Sequence, residues 1–236
     1  MPTKNFNPDG IDYLMFTPGP VNVPDFILKE MGKGNDTHRS TPYREMHKML
    51  REELQKLLMT KNDILFFASS GTGIMEACVR NLIKDDETAV FFTCGAFGER
   101  WAELAPANGK KADVVKIEWG QAVTPELVKE TLDKKKYPVV FITFNETSTG
   151  VMNPIDKIAP IVKATGALLC VDCVSCMAGV EIKVDEWGID VALASVQKCF
   201  AVPPGLALCS ISTAALEKAK DRKSTRLNSS HRIRHR

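Results

Sequence analysis

The chain is 236 residues long, 44% hydrophobic and 25% charged, with a formal net charge of +2 at pH 7. That length and apolar content suit one large buried core, alone or with a fragment of a second unit. No apolar run approaches the roughly 20 residues of a membrane span, and the opening MPTKNFNPDG lacks a signal-peptide core, so a cytoplasmic protein with no membrane partner is expected.

The first distinctive stretch is FTPGPVNVP at 16–24, followed by THRS at 37–40, which suits either a surface turn or the rim of a site. A helix over 42–59 is predicted, with Tyr43, Met46, Leu50, Leu54 and Leu57 on one face for packing. A strand over 63–68 leads into Ser69-Ser70-Gly71-Thr72-Gly73, which opens a helix over 71–84. Such a turn offers free N–H groups and the positive end of the helix dipole, worth about 0.3–1 kcal/mol to an anion. Ser70, Gly71 and Thr72 are therefore candidate phosphate contacts, and an ordinary serine N-cap explains them equally well. Neither a P-loop nor a GxGxxG dinucleotide signature occurs.

A strand over 88–92 runs into Cys94-Gly95-Ala96-Phe97-Gly98 and a helix over 97–108. The flanking glycines free the backbone around Phe97, whose ring is either a core aromatic or a platform for a flat cofactor. A strand over 112–118 and a helix over 124–136 follow, the latter started by Thr124 as cap and Pro125 at the first position. The strand at 138–144 ends in the polar run Asn145-Glu146-Thr147-Ser148-Thr149-Gly150, and a helix over 154–165 comes next. Strands over 167–172, 189–195 and 206–212 complete an α/β layer pattern. Polar residues gathered after successive strands are what the strand-end ligand rule of open α/β sheets leads one to expect.

Two charges stand out against these apolar runs. Asp172 closes the strand at 167–172, and Lys198 follows the strand at 189–195 through Val196 and Gln197. A lysine held in an apolar pocket has its ammonium form disfavoured and becomes an amine able to attack an aldehyde. An acid at the pyridine nitrogen would complete a pyridoxal phosphate (PLP) site by keeping the ring an electron sink. A solvated loop lysine and a strand-ending aspartate are the plainer explanation of the same pair. The seven cysteines lie mostly in apolar runs, which suits buried thiols in a reducing compartment. Cys170, Cys173 and Cys176 have spacing like part of an iron–sulfur ligand set, but in an extended strand they would point to opposite faces, so no metal is expected.

Seven segments in order, FTPGPVNVP, THRS, SSGTGIMEA, CGAFGERW, FNETSTGVMNPID, VDCVSCMAG and SVQKCFAVPPG, cover most of 16–212. Together they resemble a class V, fold-type I PLP-dependent aminotransferase, nearest the alanine/serine–glyoxylate group. The resemblance implies the large domain of that fold, a mixed and mostly parallel sheet flanked by helices. It implies that Lys198 forms the covalent imine with the cofactor and moves the proton, and that Asp172 pairs with the pyridinium nitrogen. Val174 and Phe97 would lie on the two ring faces, Ser70, Gly71, Thr72 and Gln197 at the phosphate, and Thr147 near the ring oxygen. Relatives often read Ser-Gly-Ser-Gln-Lys before the imine, whereas Val196 stands here beside Gln197, so a hydroxyl is lost. Cysteine desulfurases usually carry histidine in the place of Gln197, which argues against that chemistry.

Residues 222–236 hold six Lys/Arg and no acid; removing them from the 31 of the whole chain leaves 25 against 29 acids. No aromatic interleaves these charges, and the segment suits a non-native terminus better than a nucleic-acid partner site. The expected organisation is an N-terminal arm at 1–20, a PLP-binding large domain at 21–215, and from 216 the start of an interdomain segment. The resemblance also implies a small C-terminal domain, missing here, that supplies the arginine for the substrate carboxylate, and a homodimer when full length. The activity implied is amino-group exchange between alanine, serine or a similar donor and glyoxylate or pyruvate. The alternatives are 2-aminoethylphosphonate–pyruvate transamination, suggested by Lys198-Cys199 and the ETST run, and a fragment without catalysis.

Overall fold

The computed structural model describes residues 14–34 and 36–220. Most of the expected N-terminal arm and the basic tail lie outside them. Eight helices, α1 (Asp25–Met31), α2 (Thr41–Leu57), α3 (Gly71–Leu82), α4 (Ala96–Ala107), α5 (Pro125–Lys134), α6 (Ile155–Ala164), α7 (Val184–Trp187) and α8 (Thr213–Lys220), are found among these residues. The main strands are β1 (Asp63–Phe67), β2 (Thr88–Thr93), β3 (Lys111–Lys116), β4 (Val139–Thr143), β7 (Leu168–Asp172), β8 (Val191–Ser195) and β9 (Ala207–Ile211), while β5 (Asn145–Glu146) and β6 (Val151–Met152) form a separate short hairpin.

The seven main strands form one sheet in the order β1-β9-β8-β7-β4-β2-β3. Only the pairings of β9 with β1 and β8 are antiparallel, so the other six strands run the same way and end at one edge. Strands β4 and β8 are buried at every position, as unbroken apolar runs covered on both faces must be. Their side chains alternate between two cores. Phe91, Phe141, Cys170 and Leu193 face α3 and α4, where Ile74, Val79, Leu82 and Trp101 meet them. Phe92, Ile142, Val171 and Ala192 face the other way, towards Val128 and Leu132 of α5 and Ile158 and Val162 of α6.

Local signals fix the helix starts. Thr124 caps α5 by accepting from Leu127 N with Pro125 in the first turn, and Ser40 caps α2 by accepting from Tyr43 N. The apolar stripe of α2 needs correction: none of its residues is buried, and Met46, Leu50 and Leu57 are 41–44% exposed. The helix lies over the outermost strand β1, so that Leu54 and His47, edge-on to Phe66, reach the sheet while the rest of the stripe extends past it. Elements α1, α7, α8 and the β5–β6 hairpin carry no periodic signal long enough to foresee. Helix α8 runs to Lys220, with Ala215 buried and Lys218 paired with Glu87 at 2.7 Å.

The face covered by α3 and α4 centres on a three-ring cluster in which Phe141 stacks on Phe91 at 4.4 Å and meets Trp101 edge-on at 5.0 Å. Phe141→Ala leaves a cavity there that β-sheet neighbours cannot close. The expected loss is about 3–5 kcal/mol in urea unfolding, and a loss below about 1 kcal/mol would mean that the ring contributes less than its buried area alone predicts.

Candidate functional site

Five strands that end at the same sheet edge are each followed by polar or glycine-rich residues: Ser69–Thr72 after β1, Cys94–Phe97 after β2, Asn145–Thr147 after β4, Asp172 at the end of β7, and Gln197–Lys198 after β8. Register sharpens this. Phe92 pairs with Ile142 and Thr143 with Asp172, so Thr93, Thr143 and Asp172 form one row across three adjacent strand ends. By the pleat this row points to the side of α3 and α4.

Asp172 is 3% exposed and its Oδ1 accepts from Val174 N at 2.8 Å. Burial pushes its carboxyl up to about 7, an effect the Val174 N–H opposes, the nearby Glu146 carboxylate reinforces and the Lys198 ammonium opposes. Lys198 itself departs from expectation. The chain leaves the core after Val196, so the lysine is half-buried on the rim rather than enclosed in an apolar pocket, and its Nζ donates to the Pro18 carbonyl at 3.0 Å. The residues at 17–21 lie across it, with Val21 N donating to the Gln197 carbonyl at 3.3 Å.

Ser70 is the N-cap of α3, accepting from Gly73 N at 3.4 Å, so its side chain acts as an ordinary cap. Capping still leaves the first-turn N–H groups of Gly71 and Thr72 without intrahelical acceptors. A Cβ on Gly71 would lie 2.6 Å from Val174 Cγ2 and 3.5 Å from Ser195 Oγ, so the helix start is wedged against β7 and β8. Ser195 Oγ, Thr93 Oγ1 and Thr143 Oγ1 are buried without a hydrogen-bond partner among the described residues, and all three close their strands at this edge. Buried hydroxyls normally find partners, and the Ser195 hydroxyl, beside the N-terminus of α3, suits a polar, anionic group. The Ser195 hydroxyl lies beside Gly71, at the corner where the sequence places Val196 instead of a hydroxyl.

Phe97 is half-buried in the first turn of α4, with the Arg100 guanidinium 5.3 Å from its ring centroid. Gly95, the N-cap of that helix, supplies no side-chain cap. Glu146 does so instead. Fully buried, it accepts from Gly98 N at 2.9 Å and Phe97 N at 3.2 Å, and from Ser148 Oγ at 2.7 Å, while Ser148 Oγ accepts from Ala96 N at 2.9 Å. A Cβ on Gly95 would lie 2.5 Å from both Glu146 Cγ and Ser148 Oγ, so only glycine admits this anchor. Thr147, half-buried, follows Glu146 on the turn between β5 and β6, and Gln197 is half-buried before Lys198. The sequence gives no role to Glu146, because the helix start it caps lies 48 positions away in the chain.

The cysteine reading is corrected in its reason. Strand β7 ends at Asp172 and the chain turns, Met177 N donating to the Cys173 carbonyl at 2.8 Å. Cys173 and Cys176 therefore share the α5–α6 side, where burial and mutual contact push the Cys173 thiol up, while Cys170 faces α3 beside Cys78. Among the described residues no group of three or more His, Cys, Asp or Glu is arranged to hold a metal ion.

A model of the family Aminotransferase class-V matches residues 22–228. A soluble hydrogenase small subunit of Synechococcus sp. is 37% identical over 211 residues, 88% of this chain and 55% of its own length. An uncharacterised aminotransferase of Methanocaldococcus jannaschii is 38% identical over 213 residues, again 55% of its length. Serine–glyoxylate aminotransferase of Arabidopsis thaliana is 32% identical over 90% of this chain and 55% of its own. The crystal structure of an alanine–glyoxylate aminotransferase from Nostoc sp. superposes with a TM-score of 0.85 at 26% identity, covering 89% of this chain and 56% of that one. The chain thus spans about half the length of the curated relatives it matches.

The Asp172 environment makes stability depend on pH. Because burial raises the folded carboxyl to about 7 from an ordinary 3.8, the folded state binds the proton more tightly. Its stabilising contribution is complete below about pH 4 and is lost as pH rises through about 7, by up to about 4 kcal/mol. Asp172→Asn keeps the acceptor for Val174 N and removes the ionisation. In cofactor-free protein the variant should match the parent near pH 4 and exceed it at pH 8 in urea unfolding; an unchanged pH slope between the two would place the titration elsewhere.

Proposed function

The chain belongs to the class-V aminotransferase family, and from that premise we propose that it is the PLP-binding large domain of an aminotransferase moving an amino group between a small amino acid, alanine- or serine-like, and glyoxylate or pyruvate. The observation that carries the reading is the convergence at one sheet edge of a buried acid, Asp172, a rim lysine, Lys198, and a helix start backed by the unpaired Ser195 hydroxyl. Bound there, the cofactor would supply an aldehyde carbon for the amine and a ring that delocalises the electron pair left when the substrate carbon loses its proton.

The chain's own residues would do the rest. Lys198 supplies the amine at Nζ and, when free, takes and returns a proton. Asp172, ionised by a cation placed against it, holds a proton at the pyridine nitrogen, which is the reverse of its neutral preference when it faces only buried neighbours. Phe97, whose backbone N–H is held by Glu146, and Val174, whose N–H is held by Asp172 and whose side chain packs on Gly71, would offer two apolar faces for a flat ring. Gly71 N and Thr72 N, with Ser70 and Gln197, offer donors for the phosphate, and Thr147 a hydroxyl for the ring oxygen.

A homodimer is part of the proposal, supported by the exposed Phe26, Leu28 and Met31 of α1 and Met46, Met49 and Leu50 of α2. A cytoplasmic setting is supported by seven free thiols, six of them buried. No helix among the described residues is long and apolar enough to cross a membrane.

PLP added to the chain should give a visible absorbance band and a borohydride-reducible link. Peptide mapping is expected to place that link on Lys198, and Lys198→Ala to abolish it. Label on another lysine would overturn the assignment.

A further inference from the structure

Lys198 is held by a segment 180 positions away in sequence. Its Nζ donates to the Pro18 carbonyl at 3.0 Å, and the next residue, Gly19, runs along its stem at φ +131°. A Cβ on Gly19 would overlap Lys198 Cδ and lie 2.9 Å from both Cε and Nζ, so a side chain here would displace the end of the lysine. The segment is tied down on its own account. Thr17 Oγ1 donates to the Pro20 carbonyl at 3.0 Å, Met15 N donates to Asn22 Oδ1 at 2.7 Å, and Val21 N donates to the Gln197 carbonyl at 3.3 Å.

We propose that Thr17–Pro20 forms a seat for the Lys198 amine, with Gly19 as a positioning residue that only glycine can fill. The proposal rests on the reading of Lys198 as the reactive amine. A lysine carries its amine on a flexible four-carbon stem, and on a rim it would otherwise sample many rotamers. The Pro18 carbonyl gives the unengaged amine one acceptor, and the flat Gly19 backbone gives the stem one path. The amine is thereby kept at the strand edge, on the side of Asp172, whenever it is not bonded elsewhere. Both contacts also shield it, so their loss leaves the amine more open to small reagents.

A second glycine separates this contact from backbone strain. Gly205 has φ +132°, matching Gly19, but a Cβ there would meet nothing within 4 Å. Lys110, whose side chain is 5% exposed in its ion pair with Asp85, reports loosening of the whole fold. The full chain, without cofactor, is pulsed with a water-soluble acetylating ester at fixed pH, and acetylation of Lys198 and Lys110 is followed by peptide mass spectrometry. Gly19→Ala should speed Lys198 acetylation about three- to tenfold, the order expected for losing one hydrogen bond of ordinary net strength, with Lys110 unchanged. Gly205→Ala should change neither. Equal effects of the two alanines, or no effect of Gly19→Ala, would overturn the seat. Where Gly19→Ala accelerates both lysines, Thr17→Val, which cuts only the tie to Pro20, decides: a rise at Lys198 alone supports the seat, and no rise overturns it. Since acetylation is read without cofactor, failure here leaves the borohydride map standing, and label elsewhere in that map would remove the reactive amine without altering the acetylation ratio.

Discussion

A carboxyl group buried at the end of a central parallel strand is uncomfortable as an anion, and the rest of this site is arranged around that fact. Asp172 is flanked in register by Thr143 and then Thr93, hydroxyl side chains rather than cations, and its one short hydrogen bond comes from a neutral backbone N–H. A second buried carboxylate, Glu146, stands close enough to raise it further. Such a group is a poor stabiliser of the fold by itself and a strong attractor of any cation that fits against it, which is the balance expected of a binding group rather than a packing one.

The two carboxylates divide their work by what surrounds them. Glu146 receives donors from Phe97 N, Gly98 N and the Ser148 amide and hydroxyl, so its charge is spent within the protein on the N-terminus of α4. Among the described residues Asp172 receives only Val174 N, and its carboxyl keeps acceptor capacity in reserve. The first acid holds the backbone at the start of α4, and the second keeps acceptor capacity for a partner. Glycine makes both arrangements possible: Gly95 admits Glu146, and Gly71 admits Val174.

Much of this was legible from the chain. Unbroken apolar runs such as PVVFITF, separated by helix-length amphipathic stretches, give the parallel layer because period and length agree, and strand-end residues then fall at one edge by topology alone. What local pattern cannot carry is the partner of each surface. The stripe on α2 has the right period for packing yet meets only the edge strand β1, and nothing in its own sequence distinguishes a core face from one that overhangs the sheet. The pocket expected for Lys198 failed for a related reason. Apolar runs on either side of a residue describe the strands, whereas the residue itself sits in the turn between them, where the backbone has already left the core.

Glu146 and the seat at 17–20 were hidden by sequence distance. One acid in a polar run, and one glycine between two prolines, acquire meaning only when folding brings them against α4 and Lys198, 48 and 180 positions away. Both are cases in which a short polar segment from one part of the chain completes a helix start or a turn from another, and both act on groups that a flat anionic cofactor would touch. Strand ends alone would supply a row of side chains without fixed orientation. The first contact holds the backbone from which the Phe97 ring projects, and the second gives the Lys198 amine an acceptor at the same sheet edge.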